Sequence, residues 1–267
     1  MKLENAIDHY ISWRQTHGAK FISTAGLLHR FVKCVDGKTD CDGVTTKQVL
    51  RFLAGDGPLT RLRENKYYAL TGFYRYAISR GYARHSPLPD SDGKSLTRTP
   101  PYIYSRDELR RLFDADVIEV SRQGAVQLNT ATFRTLLLLL YGAGLRYSEA
   151  TGLTLANVDL AENVLTINAT KFYKSRLVPI GPQLTAVLAS YMPQRPRSGI
   201  AQRKTSFFLT NRNGTRLASS TVQAAFDALR RVAGVDGKRS GRRVPRLHDF
   251  RHNSEHPIIP SRFAATA

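Results

Sequence analysis

Three strings in this 267-residue sequence carry side chains that could act on a phosphate. The first is Gly142-Ala-Gly144-Leu-Arg146-Tyr-Ser148-Glu149. Its glycines allow a tight turn where an apolar run stops, and Arg146 emerges beside the start of a new helix carrying Glu149. A planar guanidinium there can offer its fork to a phosphate while the helix N-terminus adds positive dipole. An arginine that only caps the helix fits the string equally. The second is Lys171-Phe-Tyr-Lys174-Ser-Arg176-Leu-Val-Pro179, with its lysines in a turn between strand-like runs. Solvated turn lysines are ordinary. The third is His248-Asp249-Phe250-Arg251-His252, opening a predicted helix. Residues at i and i+3 share a helical face, so His248 and Arg251 could meet one phosphate. A histidine that exchanges a proton and an arginine that neutralises developing charge together suit phosphoryl transfer.

The surrounding chain is strongly basic, with 40 Lys+Arg against 21 Asp+Glu and a net charge of +19. Residues 1–100 hold 16 basic and 9 acidic side chains, and residues 101–267 hold 24 and 12. Both halves therefore suit a polyanionic partner. A hydrophobic content of 42% with 12 Phe and 12 Tyr excludes a disordered basic tail. The two cysteines, Cys34 and Cys41, are too few for a disulfide framework and fit a reducing compartment. No stretch nears the roughly 18 uninterrupted apolar residues that span a bilayer. The N-terminus is amphipathic rather than a secretion signal. These features predict a cytoplasmic or nucleoid-associated protein with no membrane partner.

The elements that must position the three strings follow from periodicity. Helical spacing predicts helices over residues 3–17, Ser23–Cys34, Thr45–Leu53 and Arg61–Arg80, enough for a small all-α domain. Four prolines with Gly and Ser across residues 85–101 read as a boundary. Ser105-Arg-Asp-Glu108 is a capping box ahead of Leu109, Leu112 and Phe113. Ala131–Tyr141 is apolar nearly all round and reads as a buried helix. Residues 163–170 and 175–180 read as the strands of a β-hairpin, and Pro182–Met192 and Ser219–Ala233 as further helices. A helix-turn-helix across residues 148–158 is the competing reading. It would leave little room for a recognition helix before the strand.

In this order, the three strings resemble the tyrosine recombinase, or phage-type integrase, family. Gly144-Leu-Arg146-Tyr-Ser148-Glu149 is similar to its GLRxSE box, Lys171 with Lys174-Ser-Arg176-Leu-Val-Pro179 to its hairpin lysine and following strand, and His248 to Arg251 to its HxxR box. The resemblance covers roughly residues 3–253 and implies a mainly α fold. It implies an all-α, SAM-like core-binding DNA domain over residues 1–86 and a linker over 87–104. A mixed α+β catalytic domain with a small β-hairpin sheet follows over 105–253. It implies strand exchange on duplex DNA through a 3′-phosphotyrosyl link, with no metal, no cofactor and no small-molecule substrate, in a homo-oligomer (dimer or tetramer on DNA). Arg146 and Arg251 would clamp the phosphate, Lys171 would be the general acid, His248 would assist proton transfer, and Glu149 would support the site.

One part of the pattern departs. The family's later Gly-His element and its tyrosine nucleophile are not found after Arg251, and the last tyrosine is Tyr191. Residues 254–267 look unlike the family, so the expectation is a C-terminally incomplete catalytic domain, no nucleophile, and a chain inactive alone. The alternative is a DNA-binding remnant or regulator that occupies recombination sites. Incompleteness would also leave Leu136–Leu140 short of cover.

Overall fold

In the computed structural model, residues 1–54, 61–90, 100–122, 128–168, 175–196, 203–237 and 243–253 are described. Two compact units divide them, Met1–Thr99 and Pro100–Ala267.

The first unit is built from helices whose apolar residues recur every three or four positions. Helix α1 (Leu3–Thr16) buries Leu3, Ala6, Ile7, Tyr10 and Ile11. Helix α2 (Ile22–Val35) contributes Leu27, Leu28, Phe31, Val32 and Val35 to the same core. Helix α3 (Thr46–Ala54) starts at a capping box, in which the Gln48 amide hydrogen bonds to Thr45 Oγ1 and the Thr45 amide to Gln48 Oε1. Helix α4 (Arg61–Ser79) closes the bundle with Ala69, Leu70, Phe73, Tyr74 and Ala77. Periodicity alone overcounts this core, since Leu50 and Leu62 point outward. Both cysteines are free thiols, with Cys41 buried.

The second unit is mostly helical around a small sheet. Tyr102 and Tyr104, within the stretch read as linker, are buried in its core. Helix α5 (Arg106–Phe113) starts at the Ser105–Glu108 capping box. Helix α6 (Ala115–Ser121), which the sequence reading passed over, is capped by Asp114. Helix α7 (Thr130–Gly142) is the central, nearly all-buried helix. A single turn, α8 (Tyr147–Ala150), follows it. Strands β1 (Val158–Asp159), β2 (Val164–Ile167) and β3 (Arg176–Pro179) form a three-stranded antiparallel sheet in that order. The expected hairpin is thus β2–β3 with shorter strands, and β1 is added at the edge. Helices α9 (Pro182–Gln194) and α10 (Ser219–Val232) come next. The HxxR string folds as a 3-10 turn, Leu247–Asn253, where an α-helix was expected.

Leu136 through Leu140 are at most 2% exposed, so the expected lack of cover does not occur. Among the described residues, α9, the 247–253 turn, α6 and α5 pack around α7. The helix-turn-helix reading fails as well, because the single turn of α8 runs through a 3-10 turn, Leu155–Asn157, straight into β1. No helix among the described residues is long and apolar enough to cross a membrane.

Candidate active site

Where α7 ends, Gly144 adopts a positive φ of 57°, open to glycine at little cost. That bend delivers Arg146 to the N-cap of α8 with its side chain half exposed. The α8 turn is only four residues long, so its dipole is small, and the positive dipole expected there gives way to side-chain charge. Arg216 fixes the turn from below, donating to the Ser148 carbonyl at 3.0 Å and to Thr151 Oγ1 at 3.2 Å.

Glu149 is the hub. Its carboxylate accepts from the Arg146 amide at 2.9 Å and from the Arg146 guanidinium at 2.8 Å. From the other side Arg176 donates a bidentate pair, at 3.0 and 2.9 Å. Strand register explains the second contact. Arg176 stands opposite the buried Ile167 on β2, and opposite residues of an antiparallel pair share a face. That face turns inward and brings the guanidinium to Glu149. Burial alone would raise the Glu149 pKa, yet hydrogen bonds from Arg176 and Arg146 outweigh it and bring the carboxyl down to about 2.

The third guanidinium comes from the 247–253 turn. Burial and the nearby charge of Arg146 lower the Arg251 pKa, opposed by Glu149, with Arg176 lowering it further. Arg251 therefore lies within the field of the same cluster. In a 3-10 turn side chains at i and i+3 eclipse, which puts His248 and Arg251 on one face. Burial first, and then the neighbouring His252 and Arg251, lowers the His248 pKa.

The turn is anchored by the residues that alternate with these. Asp249 is fully buried and accepts from Arg243 with both oxygens at 2.8 Å and from the Arg246 amide at 2.8 Å. Phe250, also fully buried, stacks on Tyr104 at 4.7 Å and meets Phe113 and Phe226. Asn253 accepts from the Tyr104 amide and donates to the Asp249 carbonyl.

The structure thus brings together Arg146, Glu149 and Arg251, with His248 on the Arg251 face. Lys171 lies outside the described residues. Arg176 and Asp249 were not singled out by spacing. Arg176 meets Glu149 27 residues away, and the only sequence hint of Asp249 is its place inside the HxxR string. Two guanidiniums on one carboxylate, with Arg251 in their electrostatic field, leave a net positive site suited to an oxyanion such as a phosphodiester.

The second unit is mostly helical with a three-stranded sheet and carries this arginine cluster, and the first unit is a helical bundle. Comparison with known proteins places it further. Residues 105–256 match the phage integrase family. Over 252 residues the chain is 32% identical to the integrase/recombinase y4rB of Sinorhizobium fredii, spanning 92% of this chain and 78% of that protein. To tyrosine recombinase XerC of Chlorobaculum tepidum it is 35% identical over 168 residues, 58% of this chain and 50% of that protein. A lambda integrase (residues 75–356) dimer bound to a COC′ core site shares the fold, with a TM-score of 0.65 at 17% identity, covering 99% of this chain and 93% of that one. The chain belongs to the phage integrase family of tyrosine recombinases.

Proposed function

We propose that this chain binds duplex DNA at recombination sites as a homo-oligomer and holds one phosphodiester between Arg146 and Arg251. The observation that carries this reading is the Glu149 bridge, which fixes Arg146 and Arg176 while the cluster keeps an excess of positive charge. In the family's reaction a tyrosine hydroxyl attacks phosphorus and the 5′-oxygen leaves. The covalent link conserves the phosphodiester's energy, so no nucleotide cofactor is needed. Arg146 and Arg251 would stabilise the added equatorial charge, His248 would assist proton transfer, and Lys171 would protonate the departing oxygen. Glu149 would position Arg146.

No described tyrosine of the second unit is poised as the nucleophile. Tyr191, the last in the sequence, is 2% exposed, with its hydroxyl 2.9 Å from that of Thr132. Tyr102, Tyr104 and Tyr141 are buried, and Tyr147 is half-buried with its hydroxyl at the Leu217 carbonyl. Tyr173 lies outside the described residues. On this reading the chain alone occupies DNA without cutting it, as an inactive recombinase; the alternative is a non-catalytic remnant or regulator that occupies recombination sites. A nicked suicide DNA substrate tests this: binding should be retained by gel shift, with no covalent protein–DNA band on denaturing gels. An adduct mapping to any tyrosine of this chain overturns the inactivity. Absence of binding overturns the DNA-site reading itself.

A further inference from the structure

The first unit carries a groove that the clamp does not use. It opens between α1 and α4 with a volume near 460 Å³, and Tyr10, Trp13, Tyr76, Arg14, Arg75 and Arg80 line it. The aromatic rings form a continuous cluster. Trp13 stacks near Tyr10 at 22° between planes and lies 5.3 Å from Tyr76. Basic groups interleave with them, Arg14 over Phe21 at 5.2 Å and Arg80 over Tyr76 at 5.6 Å. Among the described residues, the buried Arg14 Nε–H has no hydrogen-bond partner, a donor that an entering anion could satisfy. Among the described residues, no carboxylate lines the groove. Gly72 lets the Tyr10 hydroxyl pack close to α4, because a Cβ there would sit 2.8 Å from it.

We propose that this groove is a nucleotide site, which takes an unpaired base on the Trp13–Tyr76 aromatic surface and its phosphate on Arg14, Arg75 and Arg80. Rings alone would suit any apolar group, and arginines alone any anion. A flat ring carrying a phosphate uses both. The volume is in the range of small-ligand sites, roughly 300–1,000 Å³. Base stacking on aromatics beside a basic track is how proteins hold unpaired nucleotides with little regard to sequence. A paired base offers no free face, so duplex is not the ligand. The same chemistry could come from a free mononucleotide or from an unpaired residue of a strand. The site lies wholly in the first unit, so it stands or falls separately from the arginine cluster of the second.

Trp13 is the chain's single tryptophan, so its emission reports on this groove alone. The full-length protein is titrated with thymidine monophosphate, with a short oligothymidylate, with blunt duplex of equal length and with inorganic phosphate. Saturable quenching by the mononucleotide assigns a free nucleotide, and quenching by the oligonucleotide alone assigns an unpaired strand. Both outcomes support the site. Arg75→Glu and Arg80→Glu, at exposed positions, should each weaken binding about tenfold, the scale of one lost charge-assisted hydrogen bond. Arg111→Glu, an equal charge change at an exposed position in the second unit, should leave it unchanged. Quenching by neither nucleotide form overturns the proposal. So does equal quenching by duplex, or equal loss in Arg111→Glu.

Discussion

At the residue scale the site turns on one carboxylate. Glu149 is the only acidic group hydrogen-bonded to Arg146 and Arg176 among the described residues, and its side chain is 8% exposed. Removing its charge while keeping its shape isolates that role. Glu149→Gln should cost about 2 kcal/mol of stability, the size of hydrogen bonds to charged groups left poorly matched. The pH dependence gives a sharper test. A carboxyl whose folded pKa is about 2, against an ordinary 4.5, contributes stability that is full above the ordinary value. That contribution is lost as pH falls through the folded value. The difference between wild type and Glu149→Gln in urea unfolding should therefore be widest at neutral pH and shrink steadily below about pH 4.5. A difference that stays constant down to acid would mean the carboxylate is not the group stabilised by these arginines.

At the scale of elements, much of the architecture was legible. Leu3, Ile7, Tyr10 and Ile11 mark α1 by spacing alone, and the Ser105–Glu108 box fixes where α5 begins. The unread parts have physical reasons. Strand β1 is two residues long, shorter than any periodicity can register. Helix α6 spans seven residues with one buried side chain, Ile118, so no apolar stripe announces it. Arg176 is tied to Glu149 by sheet register, which spacing along the chain cannot reveal. The shape of the HxxR string depends on Asp249 finding Arg243, a contact made in the interior. That anchor yields its own expectation. Asp249→Asn keeps the packing but leaves Arg243 and Arg246 without their charge partner, and should cost about 3 kcal/mol. Amide exchange of residues 247–253 should accelerate in the variant. Unchanged protection there would show that Phe250 and its aromatic neighbours hold the turn unaided.

At the scale of the whole molecule, the two cores share no residue. One gathers α1 to α4, and the other gathers α5 to α10 with the sheet and the 247–253 turn. Each unit therefore has its own interior, and cooperative unfolding should be a property of each. A fragment of residues 1–90 is expected to fold alone, with near-native helix content and a single sharp thermal transition. The full chain should then show two transitions by calorimetry, one of them matching the fragment. A fragment that binds hydrophobic dye and melts without cooperativity would show that the first core needs the second.

The burial of α7 has a consequence for how the molecule is made. Residues 136–140 leave the ribosome about a hundred residues ahead of the 247–253 turn that packs on them. At roughly 5–20 residues per second, five consecutive leucines wait about 5–20 seconds for that part of their cover. During synthesis the greasiest helix of the protein therefore stays partly uncovered before it is the centre of a fold.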